Sequence, residues 1–198
     1  MAQQQAGKRQ VPRRREQEEP RAAQYQGRAE CRHRGRAEFV RRPQPDYTRR
    51  GLLLDVDGTL RKTKSGEIFP RSADDVELLP GRREVLKRYV EDGYELFLVS
   101  NQSGIASETL TTADADAAFA RTIELLGLPV KEVAYCPHPA FPVGCFCRKP
   151  LPGMGIALIE RHQLAREHLL MVGDMDSDRD FARSLGIRYA DAADFFGA

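Results

Sequence analysis

The sequence predicts an α/β fold: a doubly wound parallel sheet with no separate cap domain. Three observations carry that expectation. Short apolar runs at 52–54, 94–100 and 169–172 read as strands buried on both faces. Each run ends in acids, hydroxyls or amides. Stretches with helical periodicity and helix stop signals lie between them, the alternation that gives a parallel sheet covered by helices.

In chain order, Leu52-Leu53-Leu54 runs directly into Asp55-Val56-Asp57-Gly58-Thr59-Leu60. Side chains alternate along a strand, so Asp55 and Asp57 leave on one side. Ligands of such sheets bind beyond the carboxyl ends of the strands, which places both acids in a pocket. Asp-Gly is also a common surface turn, and this stretch alone does not separate the two readings. Residues 61–80 are polar and punctuated by Gly66, Pro70 and Pro80, and read as a long loop over the pocket face. Residues 81–91 read as a helix with Val85, Leu86, Tyr89 and Val90 on one face and Gly93 as its stop.

The run at 94–100 ends in Ser100-Asn101-Gln102-Ser103-Gly104, expected to be a donor-rich loop. Thr111 or Thr112 caps a helix running to about Leu126, with Phe119, Ile123 and Leu126 on its apolar side and Gly127 behind it. Residues 131–135 form a short strand leading into a cysteine-bearing loop, and 153–163 are helical. The strand at 169–172 ends in Gly173-Asp174-Met175-Asp176-Ser177-Asp178; a helix at 177–185 stops at Gly186, and 187–190 is an edge strand. About 39 residues separate Leu60 from Ser100 and about 44 separate Gly104 from Lys149. Ordinary βα units and loops use both intervals, so the pocket is expected to be open, covered only by the 61–80 and cysteine loops.

Cys136-Pro137-His138 and Cys145-Phe146-Cys147 place three thiols and an imidazole within twelve residues. Cys136, His138, Cys145 and Cys147 satisfy a tetrahedral Zn²⁺ with a closed shell, the structural kind of site. The alternatives are buried cysteines beside a satisfied histidine, or a redox pair. Cys-x-Cys makes a strained disulfide, and the expected compartment is reducing. Cys31 stands alone in the first segment, and His33, His162 and His168 carry no metal-ligand spacing.

The formal net charge of +2 hides an asymmetry: residues 1–50 hold 13 Arg and 1 Lys against 6 acids, while the rest holds 17 basic and 23 acidic residues. Residues 1–48 are poor in apolar residues and without periodicity, and are expected to be a disordered Arg-rich tail preceding a domain at 49–198. An electrostatic arm for nucleic acid and a merely solvated extension are both consistent with it, the second being the commoner outcome. No apolar segment is long enough for a signal-peptide core or a membrane span, so the expected location is cytoplasmic, with no membrane partner. Oligomeric state is not legible.

Strand-borne Asp55-x-Asp57, strand-borne Ser100, the Arg148-Lys149-Pro150 cation pair and Asp174-x-Asp176-x-Asp178, in that order, resemble the four motifs of the haloacid dehalogenase-like phosphatase superfamily over roughly residues 50–196. The resemblance implies that Asp55 attacks phosphorus to form an aspartyl-phosphate and that Asp57 is general acid, then base. It further implies Mg²⁺ held by Asp55, Asp174 and the backbone carbonyl of Asp57, with Asp178 orienting metal waters or Lys149. Ser100 and the Asn101 amide are then expected on the phosphoryl oxygens, Lys149 against the transition-state charge, and Arg148 on an anionic group of substrate. Thr59 contacts phosphate or closes the turn. Asp176 and Asp180 are expected to be solvated. A calcium loop is the rival for 174–178, but the glycine and distal glutamate of an EF-hand are missing.

Cys-x-His…Cys-x-Cys-Arg-Lys-Pro resembles the zinc-bearing branch that includes histidinol-phosphate phosphatases and D-glycero-D-manno-heptose 1,7-bisphosphate phosphatases. That branch usually carries Arg where Val56 stands, and the heptose enzymes Lys where Met175 stands. Residues 63–70 are instead similar to a loop of polynucleotide 3′-phosphatases. The expected activity is therefore hydrolysis of a small phosphorylated metabolite, a sugar phosphate or histidinol phosphate. A DNA-end 3′-phosphatase and an inactive scaffold with a basic binding tail are the alternatives.

Overall fold

The computed structural model describes residues 47–142 and 144–197. The disorder expected for the first segment therefore falls, up to residue 46, outside the described residues.

Five parallel strands form the sheet among the described residues: β1 (Arg49–Leu54), β4 (Tyr94–Asn101), β5 (Val130–Cys136), β6 (Leu164–Gly173) and β7 (Arg188–Asp191), in the spatial order β5-β4-β1-β6-β7. The order reverses at β1, which β4 and β6 flank, so loops leaving the carboxyl ends of these three strands diverge and open a crevice there. The alternation inside the apolar run of β1 explains its burial on both faces. Leu52 and Leu54 face a core with Leu86, Phe119 and Leu126; Leu53 faces the opposite one with Phe97, Leu158, Met171 and Phe181. Helices α1 (Arg82–Glu91), α3 (Thr112–Leu126) and α6 (Ala192–Phe196) contribute to the first core; α4 (Gly153–His162) and α5 (Asp176–Leu185) to the second.

The helix limits follow local chemistry. The Thr111 side chain accepts a hydrogen bond from the Asp114 amide at the start of α3, and Gly127 ends that helix at φ 62°. Gly186 ends α5 in the same left-handed way.

Three expectations need correction. Residues 61–80 are not simply a loop: β2 (Arg61–Thr63) pairs antiparallel with β3 (Val76–Leu78), and a 3₁₀ turn at Ala73–Asp75 precedes β3. Three-residue strands are too short to show a period. The segment after Gln102 is a short helix, α2 (Ser103–Ala106), rather than a loop. β6 begins at Leu164, well before the expected 169, because the exposed Arg166, Glu167 and His168 interrupt its apolar pattern. There β6 advances from Leu164 to Leu169 while β1 advances only from Arg49 to Gly51, so the polar residues bulge out of the ladder.

Candidate active site

β1 delivers Asp55 to the crevice with its backbone amide still donating to Val172 O of β6 at 2.9 Å. The chain then turns tightly, Leu60 N and Arg61 N both donating to Val56 O. Gly58 makes this turn possible. Its φ is +89°, and a Cβ there would lie 2.3 Å from Asp174 Oδ2. The missing side chain is the space that Asp174 occupies.

Lys149 is the hub of the site. Its ammonium lies 2.5 Å from Asp55 Oδ1 and 2.7 Å from Asp178 Oδ1, and it donates to Val99 O at 2.9 Å. Lys149, Asp55 and Asp178 are all buried. Burial alone would lower the Lys149 ammonium, but the two facing carboxylates outweigh it and hold it above its ordinary 10.5. Burial likewise pushes the Asp55 carboxyl up, and Lys149 works against that shift. Asn101 fixes the lysine from behind. Its side chain donates to Lys149 O and accepts from Lys149 N, each at 3.0 Å. Its carboxamide is thus a backbone clamp, a role distinct from the phosphate contact expected of its amide.

Asp57 is held on both oxygens, Oδ1 by Arg61 Nε at 2.8 Å and Oδ2 by Gln102 Nε2 at 2.9 Å. Gln102 Nε2 also lies 2.8 Å from the buried Ser100 Oγ. Neither Arg61 nor Gln102 was assigned from sequence. The only signal for Gln102 was its place in the donor-rich 100–104 stretch, and Arg61 sat in an expected loop. The Thr59 hydroxyl is fully buried and donates to Asp174 Oδ1 at 3.0 Å. It therefore orients a carboxylate of the site, a third outcome beside contacting phosphate or closing the turn. Asp178 also accepts from Met175 N at 3.1 Å, locking the first turn of α5, whereas Asp176 and Asp180 pair on the surface with Arg179 and Arg183.

Asp55, Asp174 and Asp178 each offer a carboxylate oxygen within 4.8 Å of the others. Burial and then the facing Asp55 charge push the Asp174 carboxyl up, a penalty that a cation would remove. Hard oxygen donors at this spacing fit Mg²⁺; Lys149 and Met175 N engage both oxygens of Asp178, whereas Lys149 meets only Oδ1 of Asp55, so Asp55 and Asp174 are the carboxylates with an oxygen to offer it.

Cys136, His138, Cys145 and Cys147 converge as well, their ligand atoms within 4.8 Å of one another. The Sγ atoms of Cys145 and Cys147 lie 3.5 and 3.3 Å from that of Cys136, and His138 Nδ1 lies 3.5 and 3.2 Å from Cys136 and Cys147. These separations exceed an S–S bond and approach the edge, about 3.8 Å, of a tetrahedron with about 2.3 Å metal–sulfur bonds. Burial pushes the Cys136 thiol up to about 12. A soft cation would overturn that by taking the thiolate. Arg148 directly follows this cluster, and its Nη1 is buried without a hydrogen-bond partner among the described residues.

Residues 52–196 match the family model described as polynucleotide kinase 3 phosphatase. The chain belongs to that family. It is also 33% identical over 138 residues to the D-glycero-β-D-manno-heptose-1,7-bisphosphate 7-phosphatase of Pseudomonas putida, covering 68% of this chain and 77% of that protein. The histidine biosynthesis bifunctional protein HisB of Legionella pneumophila is 28% identical over 70% of this chain, which spans 40% of HisB's length. A solved structure of D,D-heptose 1,7-bisphosphate phosphatase from B. bronchiseptica, complexed with magnesium and phosphate, superposes with a TM-score of 0.63 at 30% identity, covering 71% of this chain and 78% of that one. The protein is a haloacid dehalogenase-like phosphatase.

Replacing Lys149 by Met leaves Asp55 and Asp178 buried face to face. Urea unfolding at pH 7 should show a loss of about 3–5 kcal/mol, the cost of breaking a buried pair. Burial already raises the Asp55 carboxyl, and the variant removes the cation that opposed the rise; a raised carboxyl contributes stability below its unfolded value and loses it as pH rises through the folded one, so the deficit should shrink toward pH 4. A deficit independent of pH would contradict the ion-pair account.

Proposed function

We propose that this phosphatase is a Mg²⁺-dependent phosphomonoesterase that hydrolyses a small phosphorylated metabolite, a sugar phosphate being the first candidate, through a phosphoryl group carried on Asp55. The observation that carries the reading is the buried contact of Lys149 with Asp55, beside a second carboxylate, Asp174, free to share a cation with it. The magnesium- and phosphate-bound relative supports the metal and the reaction class, and the named heptose and histidine relatives support a metabolite substrate.

Magnesium, when bound, supplies Lewis-acid charge that screens the phosphate dianion from the nucleophile. Asp55 and Asp174 would hold it, with the Asp57 carbonyl as a third ligand. Lys149 keeps the Asp55 carboxylate oriented and offsets charge at the phosphoryl group as it transfers. The Ser100 hydroxyl, positioned by Gln102, and the Asn101 amide donate to phosphoryl oxygens. Asp57 gives its proton to the departing oxygen and takes one from the water that follows. Arg148, with its unpartnered Nη1, is a donor suited to a second anionic group of the substrate.

The cysteine cluster is the proposed seat of a structural Zn²⁺, which fixes the loop presenting Arg148 and Lys149. Metal analysis should find about one zinc per chain, as a closed four-ligand site requires. Cys145→Ser should remove it and lower the melting temperature; wild-type protein that is zinc-free after purification in zinc-replete medium would reject the site.

A second reading, a polynucleotide 3′-phosphatase, draws on the matched family model and on the 61–78 hairpin that stands where the sequence resembles those enzymes. A panel of heptose bisphosphate, histidinol phosphate, other sugar phosphates and a 3′-phosphorylated oligonucleotide, assayed with Mg²⁺ and with Asp55→Asn as control, separates the two. The proposal expects phosphate release from a small molecule, reduced at least about 10³-fold in the variant. Release confined to the oligonucleotide would transfer the protein to the second reading.

A further inference from the structure

Arg61 is among the largest fully buried side chains of the domain, 1% exposed. Its Nε donates to Asp57 Oδ1 at 2.8 Å, its Nη1 donates to Thr122 Oγ1 at 2.8 Å, and its guanidinium lies 5.0 Å from the centroid of the Phe119 ring. Thr122 is itself fully buried and donates to Ala118 O at 2.7 Å within α3. The arginine therefore ties the Asp57 carboxyl, at the mouth of β1, to a helix that carries none of the residues assigned above to chemistry. Gln102 ties the other oxygen to the loop after β4. A buried guanidinium is costly unless its partner is fixed and its hydrogen bonds are made. β2 needs no charge at this position, since its pairing of Arg61 with Leu78 is through the backbone.

We propose that Arg61, braced by Thr122 and Phe119, is a positioning residue that holds the Asp57 carboxyl in the orientation needed for proton transfer to the leaving oxygen. This rests on the phosphoenzyme reading. In the first step an Asp55 oxygen bonds to phosphorus and the bond from phosphorus to the leaving oxygen breaks. That oxygen keeps the electron pair and takes the proton of Asp57. In the second step water bonds to phosphorus, its proton returns to Asp57, and the Asp55–phosphorus bond breaks to release orthophosphate. With Oδ1 held by Arg61 Nε, Oδ2, which accepts from Gln102 Nε2, is the oxygen that delivers and collects the proton. A freely rotating carboxyl would present either oxygen at varying angles, and proton transfer depends on that alignment.

The test compares two leaving groups of similar size. The nitrophenolate of p-nitrophenyl phosphate departs without a proton, whereas the alkoxide of benzyl phosphate must receive one. Rapid-quench single turnovers of the full chain with Mg²⁺ read the first step alone. Arg61→Gln should slow that step with benzyl phosphate about 10²-fold, within the range that a general acid contributes, while changing the single-turnover release of nitrophenolate by less than about threefold. Thr122→Val, which removes only the brace, should shift the same ratio in the same direction by about three- to tenfold, and decides the matter if Arg61→Gln does not fold. Equal losses on both substrates would make Arg61 a stability residue and overturn the proposal, as would no loss on either. Wild-type single-turnover nitrophenolate release that Asp55→Asn leaves unchanged would contradict the phosphoenzyme reading itself, and this proposal with it.

Discussion

Everything in the crevice is arranged around one buried ammonium between two carboxylates. Lys149 reaches the end of β1 from the loop after β5, and Asp178 reaches it from the first turn of α5. Taken singly, each of these charges would be expensive to bury, and together they are tolerable only if the contacts are short and fixed. The supporting features follow from that need. Asn101 clamps the backbone of Lys149 on both sides, Val99 O takes a third hydrogen of the ammonium, and Gly173 leaves room for Asp178, whose carboxylate a Cβ would meet at 2.4 Å.

The same demand explains why the site sits where the strand order reverses. Only there do the carboxyl ends of β4, β1 and β6 stand side by side with their following segments turned apart, so that Ser100, Asp55 and Asp174 face a common space. Beside it stand two substructures of different character, the β2–β3 hairpin and the Cys136–Cys147 cluster. Phe69 in the hairpin segment lies against Gly104, where a Cβ would be 2.9 Å from its ring. That contact sets the hairpin beside α2, the helix that begins directly after the Asp57 ligand Gln102. On the functional reading proposed here, these two parts shape which leaving group reaches a reaction centre common to the family.

Much of this was legible in the sequence because buried parallel strands are written as uninterrupted apolar runs, and the residues just past their ends are placed by the alternation of the pleat. Asp55 and Asp57 were placed that way, Ser100 and Asp174 by the motif order that resembles the phosphatase superfamily, and the cysteine cluster by ligand type and spacing. What was missed depends on contacts that local pattern does not encode. Arg61 meets Thr122, 61 residues away, and nothing in the polar run around it distinguishes a buried arginine from a solvated one. The Thr59 hydroxyl reaches Asp174 across 115 residues. Short elements such as β2, β3 and α2 lack a full period, and the start of β6 was hidden by the polar bulge at Arg166, Glu167 and His168.

The central claim is that Asp55, held by Lys149, carries the phosphoryl group. Acid-quenching the Mg²⁺-loaded enzyme during turnover, reducing the acyl phosphate with borohydride and mapping the peptides by mass spectrometry tests it most directly. The account predicts conversion of Asp55 to homoserine, dependent on substrate and absent in Lys149→Met. Modification at Asp57 or Asp174 instead, or none at Asp55 while phosphate is being released, would contradict it.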